Sequence, residues 1–92
     1  MTYQLRLTSQ FKKDFKRMKK RGCDPQLLTA VLDMLTAGET LPPECQDHAL
    51  SGKYAGFREC HIQADWLLIY YIQQERLVLV CARTGAHSDL FG

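Results

Sequence analysis

The sequence predicts an α+β domain in which an N-terminal strand and a helical hairpin pack on an antiparallel sheet. Three observations support this class. The chain opens on an alternating segment at residues 3–8 and continues with two amphipathic helical segments between residues 9 and 38. It ends with three short strand-like segments between residues 57 and 83, the last two of them apolar. The 92 residues and 46% hydrophobic content favour a single domain over residues 1–92.

The N-terminal segments predict a strand followed by a helix. Residues 3–8, YQLRLT, alternate apolar and polar side chains, as a half-buried strand does. Ser9 is a suitable N-cap for the helix that follows. Phe11, Phe15 and Met18 recur at helical spacing, so they form one apolar stripe along that helix.

A second helix is predicted between Gly22 and Gly38. Asp24 suits its N-cap and Pro25 its first helical position, and residues 27–35 carry leucine and valine at helical spacing. Because a connection of about three residues joins the two helices, we expect an antiparallel hairpin.

The C-terminal half predicts three strands joined by short turns, after a loop rich in proline and glycine. The predicted strands are residues 57–62, 66–72 and 76–83. Strands joined by short turns pair antiparallel. The last two strands are apolar nearly throughout, so we expect both of their faces to be covered.

Positive charge is concentrated in the first helix. The net charge is only +2, yet seven of the twelve Lys and Arg residues lie within FKKDFKRMKKR, against the single acid Asp14. Such density favours a phosphate-facing surface over an ordinary solvated helix face, and predicts a polyanion as partner. The seven residues are Lys12, Lys13, Lys16, Arg17, Lys19, Lys20 and Arg21.

Other classes of protein are disfavoured. No apolar run reaches about eighteen residues and no charged-then-apolar leader occurs, so we expect neither a membrane span nor a signal peptide, and a cytoplasmic location. Histidine and cysteine spacings typical of zinc sites are absent, so we expect no metal and no other cofactor. We expect the four cysteines to be free thiols, with Cys60 and Cys81 packing in strands.

Titratable residues are expected to gather at one end of the predicted sheet. A tight hairpin places His61, at the end of one strand, near Asp65, at the start of the next. The third strand ends at Arg83, which should therefore lie near Asp65, and the tail with His87 leaves from the same edge. His48 arrives from the preceding loop.

These residue types suit the cleavage of a phosphodiester beside a 2′-hydroxyl. That reaction needs a base, an acid and a cation, which imidazole and guanidinium groups supply. The ring of Phe91 could stack on a splayed base. Structural interpretations stay open: His48 could tether its loop, His61 could simply bond to Asp65, and Phe91 could anchor the C-terminus.

The second half of the chain resembles the YafQ branch of the RelE superfamily of bacterial toxins. The resemblance rests on the segments DHALSG, YAGFRECH, DWLLIY and RTGAHSDLF, within residues 47–91. Residues 1–38 agree in layout, a strand followed by a basic helical hairpin. Ala86 departs from the small hydroxyl residue of the family pattern.

The resemblance implies a RelE-like microbial RNase fold and a ribosome-dependent endoribonuclease that cleaves mRNA during translation. The resemblance implies that His87 is the general acid. It implies that the base is either His48 or His61 together with Asp65. Arg83 would stabilise the phosphorane. The implied catalytic set is His48, His61, Asp65, Arg83, His87 and Phe91.

The resemblance also implies partners. These are mRNA, the ribosome with its 16S rRNA, and a cognate acidic antitoxin of the DinJ or RelB type, with no membrane partner. Lys53 and Trp66 join the basic helix as RNA-contacting candidates, although Trp66 is more typical of core or rim packing.

Two alternative functions remain at this stage. ParE-type relatives share the architecture but act on DNA gyrase, for which no histidine-rich site is needed. A plain binding module would hold nucleic acid on the basic helix and use the tail only for structure. The density of acid–base residues at one sheet end argues against both.

Overall fold

The computed structural model describes residues 2–92 and places five strands in one mixed sheet, with two helices packed on one face. Its elements are β1 Gln4–Leu7, α1 Ser9–Lys20, α2 Pro25–Thr36, β2 His48–Ala49, β3 Arg58–Gln63, β4 Trp66–Gln73, β5 Val78–Gly85 and α3 His87–Phe91. Two short 3₁₀ turns, Pro43–Cys45 and Gly52–Tyr54, flank β2. The predicted α+β class is confirmed.

The strand order is β1-β5-β4-β3-β2, and β1 runs parallel to β5 while the other pairs are antiparallel. The predicted antiparallel pairing of the three C-terminal strands is confirmed, and β1 adds a parallel edge strand that the sequence analysis did not predict. The helical hairpin and the other strands separate β1 from β5 in the chain, so no local turn dictates the direction in which they pair. The two-residue strand β2 pairs with β3. The sequence predicts a loop there, because two residues are too few to show the alternation typical of a strand.

The helix ends follow from capping chemistry. Thr8, rather than the predicted Ser9, is the N-cap of α1, because its hydroxyl accepts the backbone N–H of Phe11 at 3.0 Å while Ser9 is already helical. Asp24 caps α2 by accepting the N–H of Gln26 at 2.9 Å, as predicted. The hairpin is therefore fixed at both of its helix starts.

The sheet is covered on both faces. On one face α1 and α2 enclose the main core, which includes Phe11, Trp66 and Leu68. On the other face Leu67 and Ile69 pack against Leu90 of α3 and the loop around β2. This arrangement confirms the prediction from the apolar strands, since strand residues alternate between faces.

The C-terminal tail is a short helix rather than a frayed end. Strand β5 starts and ends two residues later than predicted, and α3 begins at His87. The carboxylate of Asp89 folds back to accept the N–H of Ala86 at 2.9 Å. A Cβ atom on Gly85 would lie 3.0 Å from the Asp89 Cβ, so a glycine lets the chain turn tightly there.

The state of the cysteines agrees with the sequence analysis. All four cysteines are free thiols, and burial raises the pKa of Cys81 to about 12, so this thiol packs rather than reacts. Over residues 2–92, no helix is both long enough and apolar enough to cross a membrane.

Candidate active site

The first imidazole of the site is held at the edge of the sheet. His48 lies in β2 directly opposite Glu59 of β3. The Nδ1 atom of His48 lies 2.8 Å from the carbonyl oxygen of Gln46, and its Nε2 atom lies 3.6 Å from Glu59 Oε1. An Nδ1–H that donates to a carbonyl leaves Nε2 as the free nitrogen, and this nitrogen faces the carboxylate.

The residue before His48 ties that loop to the core. Asp47 Oδ1 accepts the Tyr70 hydroxyl at 2.7 Å and the Nε–H of Arg58 at 3.2 Å. Burial, and then the Asp47 carboxylate, raise the pKa of the Tyr70 phenol, which therefore stays a donor. These contacts anchor the residue that precedes His48, and the sequence analysis did not predict them.

The other two imidazoles meet where α3 begins. The backbone N–H of His87 donates to Asp65 Oδ1 at 3.0 Å, and its Nδ1 atom lies 2.9 Å from the same oxygen. The backbone hydrogen bond, and next the ring hydrogen bond, lower the pKa of Asp65. The ring centroids of His61 and His87 are 5.8 Å apart.

The carboxylate of Asp65 therefore pairs with His87, and its predicted pairing with His61 is wrong. The β3–β4 register shifts between His61 and Gln63, so His61 and Asp65 are not direct cross-strand neighbours. The first N–H groups of a helix have no partner within it, and those of α3 start beside Asp65. The backbone N–H of His87, at the start of α3, thus binds the carboxylate of Asp65.

A buried carboxylate adjoins all three imidazoles. The side chain of Glu59 is 6% exposed, and its oxygen lies 3.6 Å from His48 Nε2. Potential ligand atoms of Glu59, His61 and His87 lie within 4.8 Å of one another. The sequence analysis missed Glu59, although the signal was present: residues 59 and 61 of one strand point to the same face.

The predicted neighbourhood of Arg83 is also wrong. Its Nε and Nη2 groups donate to the two carboxylate oxygens of Asp14 in α1, at 2.7 and 3.1 Å, instead of approaching Asp65. The β4–β5 register shifts here, since Ile69 is opposite Arg83 while Tyr70 is opposite Cys81. Such a bulge redirects the side chains around it.

Phe91 lines a surface pocket and lies close to the imidazole of His87. Its side chain is 49% exposed, and its ring centroid is 6.4 Å from that of His87 and 5.7 Å from that of Tyr54. Arg83 and Lys53 also line this pocket, which has a volume of about 580 Å³. The pocket can hold a base against the exposed ring.

Trp66 is a core residue, and its predicted contact with RNA is wrong. The residue is 1% exposed, its ring stacks on Phe15, and its indole N–H donates to Thr84 Oγ1 at 2.8 Å. A side chain enclosed in this way offers no face to a base. Packing therefore decides its role, as is usual for a tryptophan with a satisfied N–H.

The basic surface of α1 consists of lysines. Five lysines of the predicted set are exposed, while Arg17 pairs with Asp14 at 3.0 Å and Arg21 pairs with Asp89 through two hydrogen bonds of 2.7 and 3.1 Å. The exposed members are Lys12, Lys13, Lys16, Lys19 and Lys20. Arg17 is thus engaged within α1 and Arg21 joins the end of α1 to α3, whereas the lysines are available to a polyanion.

The imidazoles could also hold a metal ion. Glu59, His61 and His87 offer one carboxylate oxygen and two imidazole nitrogens, a donor set that suits zinc or copper. The sequence argument against metal rested on local spacing, which cannot detect ligands contributed by β3 and α3. Because these three residues lie together in space, the absence of local ligand spacing is no evidence against a metal site here.

The fold is that of small bacterial toxins. A crystal structure of the Escherichia coli DinJ–YafQ toxin–antitoxin complex matches with a TM-score of 0.89 and 33% identity, covering 100% of both chains. A metal-bound toxin from Helicobacter pylori matches with a TM-score of 0.90 and 38% identity, covering 99% of this chain and 100% of that one.

Sequence comparison gives the same class. The mRNA interferase toxin YafQ of Escherichia coli K12 is 36% identical over 86 residues, covering 92% of this chain and 91% of the relative. The model of the YafQ family, bacterial toxins of type II toxin–antitoxin systems, matches residues 3–92. The chain belongs to the YafQ family, which confirms the resemblance inferred from the motifs.

Proposed function

We propose that this protein is an mRNA interferase, an endoribonuclease toxin that cuts mRNA on translating ribosomes. Its family membership and its relatives named mRNA interferase toxin YafQ support the proposal. The observation that carries it is the pair of imidazoles of His61 and His87, with ring centroids 5.8 Å apart and Asp65 behind His87. Two such groups can serve one phosphodiester, one as base and the other as acid.

The cleavage step uses the 2′-hydroxyl of the RNA as nucleophile. His61 accepts the 2′-hydroxyl proton, the oxygen attacks phosphorus, and the bond to the 5′-oxygen breaks as His87 protonates that oxygen. The products are a 2′,3′-cyclic phosphate and a 5′-hydroxyl end. Asp65, 2.9 Å from His87 Nδ1, stabilises the imidazolium that must be present before the proton is delivered.

The phosphorane that forms on attack needs positive charge. Arg83 lines the pocket beside Phe91 and supplies a guanidinium group that stays charged at every working pH. We assign to His48 a second contact with the phosphate, since Glu59 Oε1 holds its imidazole in place from 3.6 Å. We assign base stacking to Phe91, whose ring is half exposed.

The exposed lysines of α1 bind ribosomal RNA in this proposal, and Lys53 binds the substrate strand near Phe91. A lysine surface that carries few competing acids is the electrostatic footprint of a phosphate-binding face. The 16S rRNA around the decoding site is such a polyanion. The lysines therefore hold the protein on the ribosome, while the imidazoles cut.

We infer that an acidic antitoxin of the DinJ type silences this protein. DinJ forms a complex with YafQ in the Escherichia coli structures. An antitoxin segment that folds on binding would cover the lysines or the imidazoles. The site of action is the cytoplasm, where ribosomes and mRNA meet.

A second candidate function for the imidazoles is the binding of an inhibitory metal ion. The cluster of Glu59, His61 and His87 supports it, as does the metal-bound toxin of Helicobacter pylori. A cation bound there would occupy the nitrogen atoms that proton transfer needs. Calorimetric binding of Zn²⁺ or Cu²⁺ to the parent protein, lost in Glu59→Gln together with His61→Ala, would support this function.

The main proposal is tested in a purified translation system with mapped mRNA ends. The parent protein should cut mRNA in frame only when ribosomes translate it, and His87→Ala should not cut. Asp33→Asn, which removes an exposed carboxylate on α2, is the matched control and should cut like the parent. Growth arrest of a host without any cuts would point to a ParE-like target, and RNA binding without either effect to a plain binding module.

A further inference from the structure

The single acid of the basic helix is the most enclosed carboxylate in the described chain. Asp14 is 0% exposed, although lysines and arginines occupy most of the remaining surface of α1. A buried carboxylate is costly unless hydrogen-bond donors surround it. Its burial in a helix rich in lysine and arginine therefore requires hydrogen-bond partners, some of them from elsewhere in the fold.

Five hydrogen bonds satisfy that carboxylate. Within α1 it accepts from Gln10 Nε2 and Arg17 Nη2, each at 3.0 Å. From β5 it accepts from Arg83 Nε at 2.7 Å, from Arg83 Nη2 at 3.1 Å and from the backbone N–H of Thr84 at 3.3 Å. The donors from β5 lie just upstream of the tail that carries His87.

The carboxylate stays ionised despite its burial. Burial raises the pKa of Asp14, but the hydrogen bonds from Arg83, Gln10 and Thr84 outweigh it, so that the pKa lies below its usual value. The hydrogen bond with Asp14 also raises the pKa of Arg83. The two groups form a fixed ion pair rather than a fluctuating surface contact.

We propose that Asp14 is a positioning residue for Arg83, holding the guanidinium group by one edge so that its other end faces the pocket shared with Phe91. The ion pair with Asp14 uses the Nε and Nη2 groups of Arg83, and Nη1 is not part of it. The phosphate therefore meets a cation that is already oriented, and orientation before the reaction is what makes a charge effective in catalysis. This inference rests on the proposed function of Arg83.

If Asp14 had only a structural role, it would join α1 to β5 and affect folding alone. Asp14→Asn, which keeps the shape, would then lower stability without changing the turnover of the folded protein. A positioning role instead lowers kcat more than it raises KM, because the orientation of Arg83 matters most when charge develops on the phosphorane. The two roles therefore differ in their kinetics.

The deciding experiment is a double-mutant cycle of Asp14→Asn and Arg83→Ala, in single-turnover cleavage on purified ribosomes. Asp14→Asn should lower the rate about tenfold in the parent and less than about twofold in the Arg83→Ala background. Asp33→Asn serves as control and should leave the rate unchanged. Equal effects of Asp14→Asn in both backgrounds, or no effect in the parent, would overturn the proposal.

A spectroscopic measurement covers the case in which Asp14→Asn does not fold. In the ¹⁵N-labelled parent protein, the Nε–H of Arg83 should be ordered and slow to exchange, whereas that of Arg76, an exposed residue in the β4–β5 turn, should be mobile. Equal mobility of the two groups would refute the positioning role. If the parent fails to cut mRNA, the proposed function fails, and this measurement still decides whether Asp14 holds Arg83.

Discussion

One oxygen atom of Asp65 contacts His87 twice, through the backbone N–H at 3.0 Å and through the ring Nδ1 at 2.9 Å. The carboxylate thus fixes both the start of α3 and the orientation of the imidazole. The ring centroid of His61 lies 5.8 Å from that of His87. His87 is therefore held by Asp65 and lies beside a second imidazole, as the proposed two-imidazole mechanism requires.

Asp65→Asn should slow cleavage about 10- to 100-fold, since an amide does not stabilise the imidazolium of His87. The affinity for ribosomes should change little, because the proposal assigns ribosome binding to the lysines of α1 and not to Asp65. Single-turnover rates measured over a range of pH, with Asp33→Asn as control, check this expectation. A rate equal to that of the parent at every pH would show that the carboxylate has no catalytic role.

Asp89 should contribute a pH-dependent part of the stability of the tail. Hydrogen bonds from Arg21, and then from the Ala86 N–H, lower the pKa of Asp89 from 3.8 to about 2. A carboxyl whose pKa is lower in the folded state stabilises the fold fully above its unfolded value, and this stabilisation is lost as the pH falls through the folded value. Asp89→Asn should therefore be less stable than the parent near neutral pH.

The difference between Asp89→Asn and the parent should shrink as the pH falls from about 4 towards 2, and urea unfolding at several pH values measures it. Asp33→Asn, whose carboxylate is exposed on α2, is the matched control. A difference that persists undiminished at the lowest pH would mean that the Arg21–Asp89 pair is not its source.

The lysines of α1 should set ribosome affinity and leave the chemical step alone. Changing Lys12, Lys13 and Lys16 to Gln should raise KM, keep kcat, and reduce the slope of log affinity against log salt by about 2 to 3. Arg76→Gln, which removes one exposed charge far from α1 in sequence, should have a much smaller effect. Unchanged salt dependence in the triple variant would exclude α1 as the phosphate-binding surface.

Trp66 should matter for stability and not for RNA binding. Trp66→Phe keeps a ring against Phe15 but loses the hydrogen bond to Thr84, which should cost about 0.5 to 1.5 kcal/mol. Below its unfolding temperature this variant should cleave like the parent. A variant with unchanged stability but weakened RNA binding would restore the base-contact interpretation.

Local chemistry made much of the fold predictable from the sequence. The stripe of Phe11, Phe15 and Met18, the Asp24 cap and the apolar strands each leave a short-range pattern, and the structure contains them all. The parallel pairing of β1 with β5 leaves no such pattern, because it joins segments about seventy residues apart whose direction is set by the whole fold.

The candidate site likewise has parts that the sequence predicts and parts that it does not. The predicted topology alone places His48, His61 and His87 in one region. This placement depends only on where the strands end and how they are connected. The partners of Asp65 and Arg83 depend on two register shifts, at His61/Gln63 and at Ile69/Tyr70, which side-chain alternation cannot reveal. Asp14 was visible only as an exception within a basic run, and its burial depends on donors from β5.

The chemistry at the ends of the cut mRNA tests the central claim most directly. Attack by the 2′-hydroxyl with His61 as base and His87 as acid leaves a 2′,3′-cyclic phosphate on the upstream fragment and a 5′-hydroxyl on the downstream one. A 2′-deoxy nucleotide immediately upstream of the cut should abolish cleavage by the parent protein. Fragments that end in a 3′-hydroxyl and begin with a 5′-phosphate, or undiminished cutting of the deoxy substrate, would contradict the account.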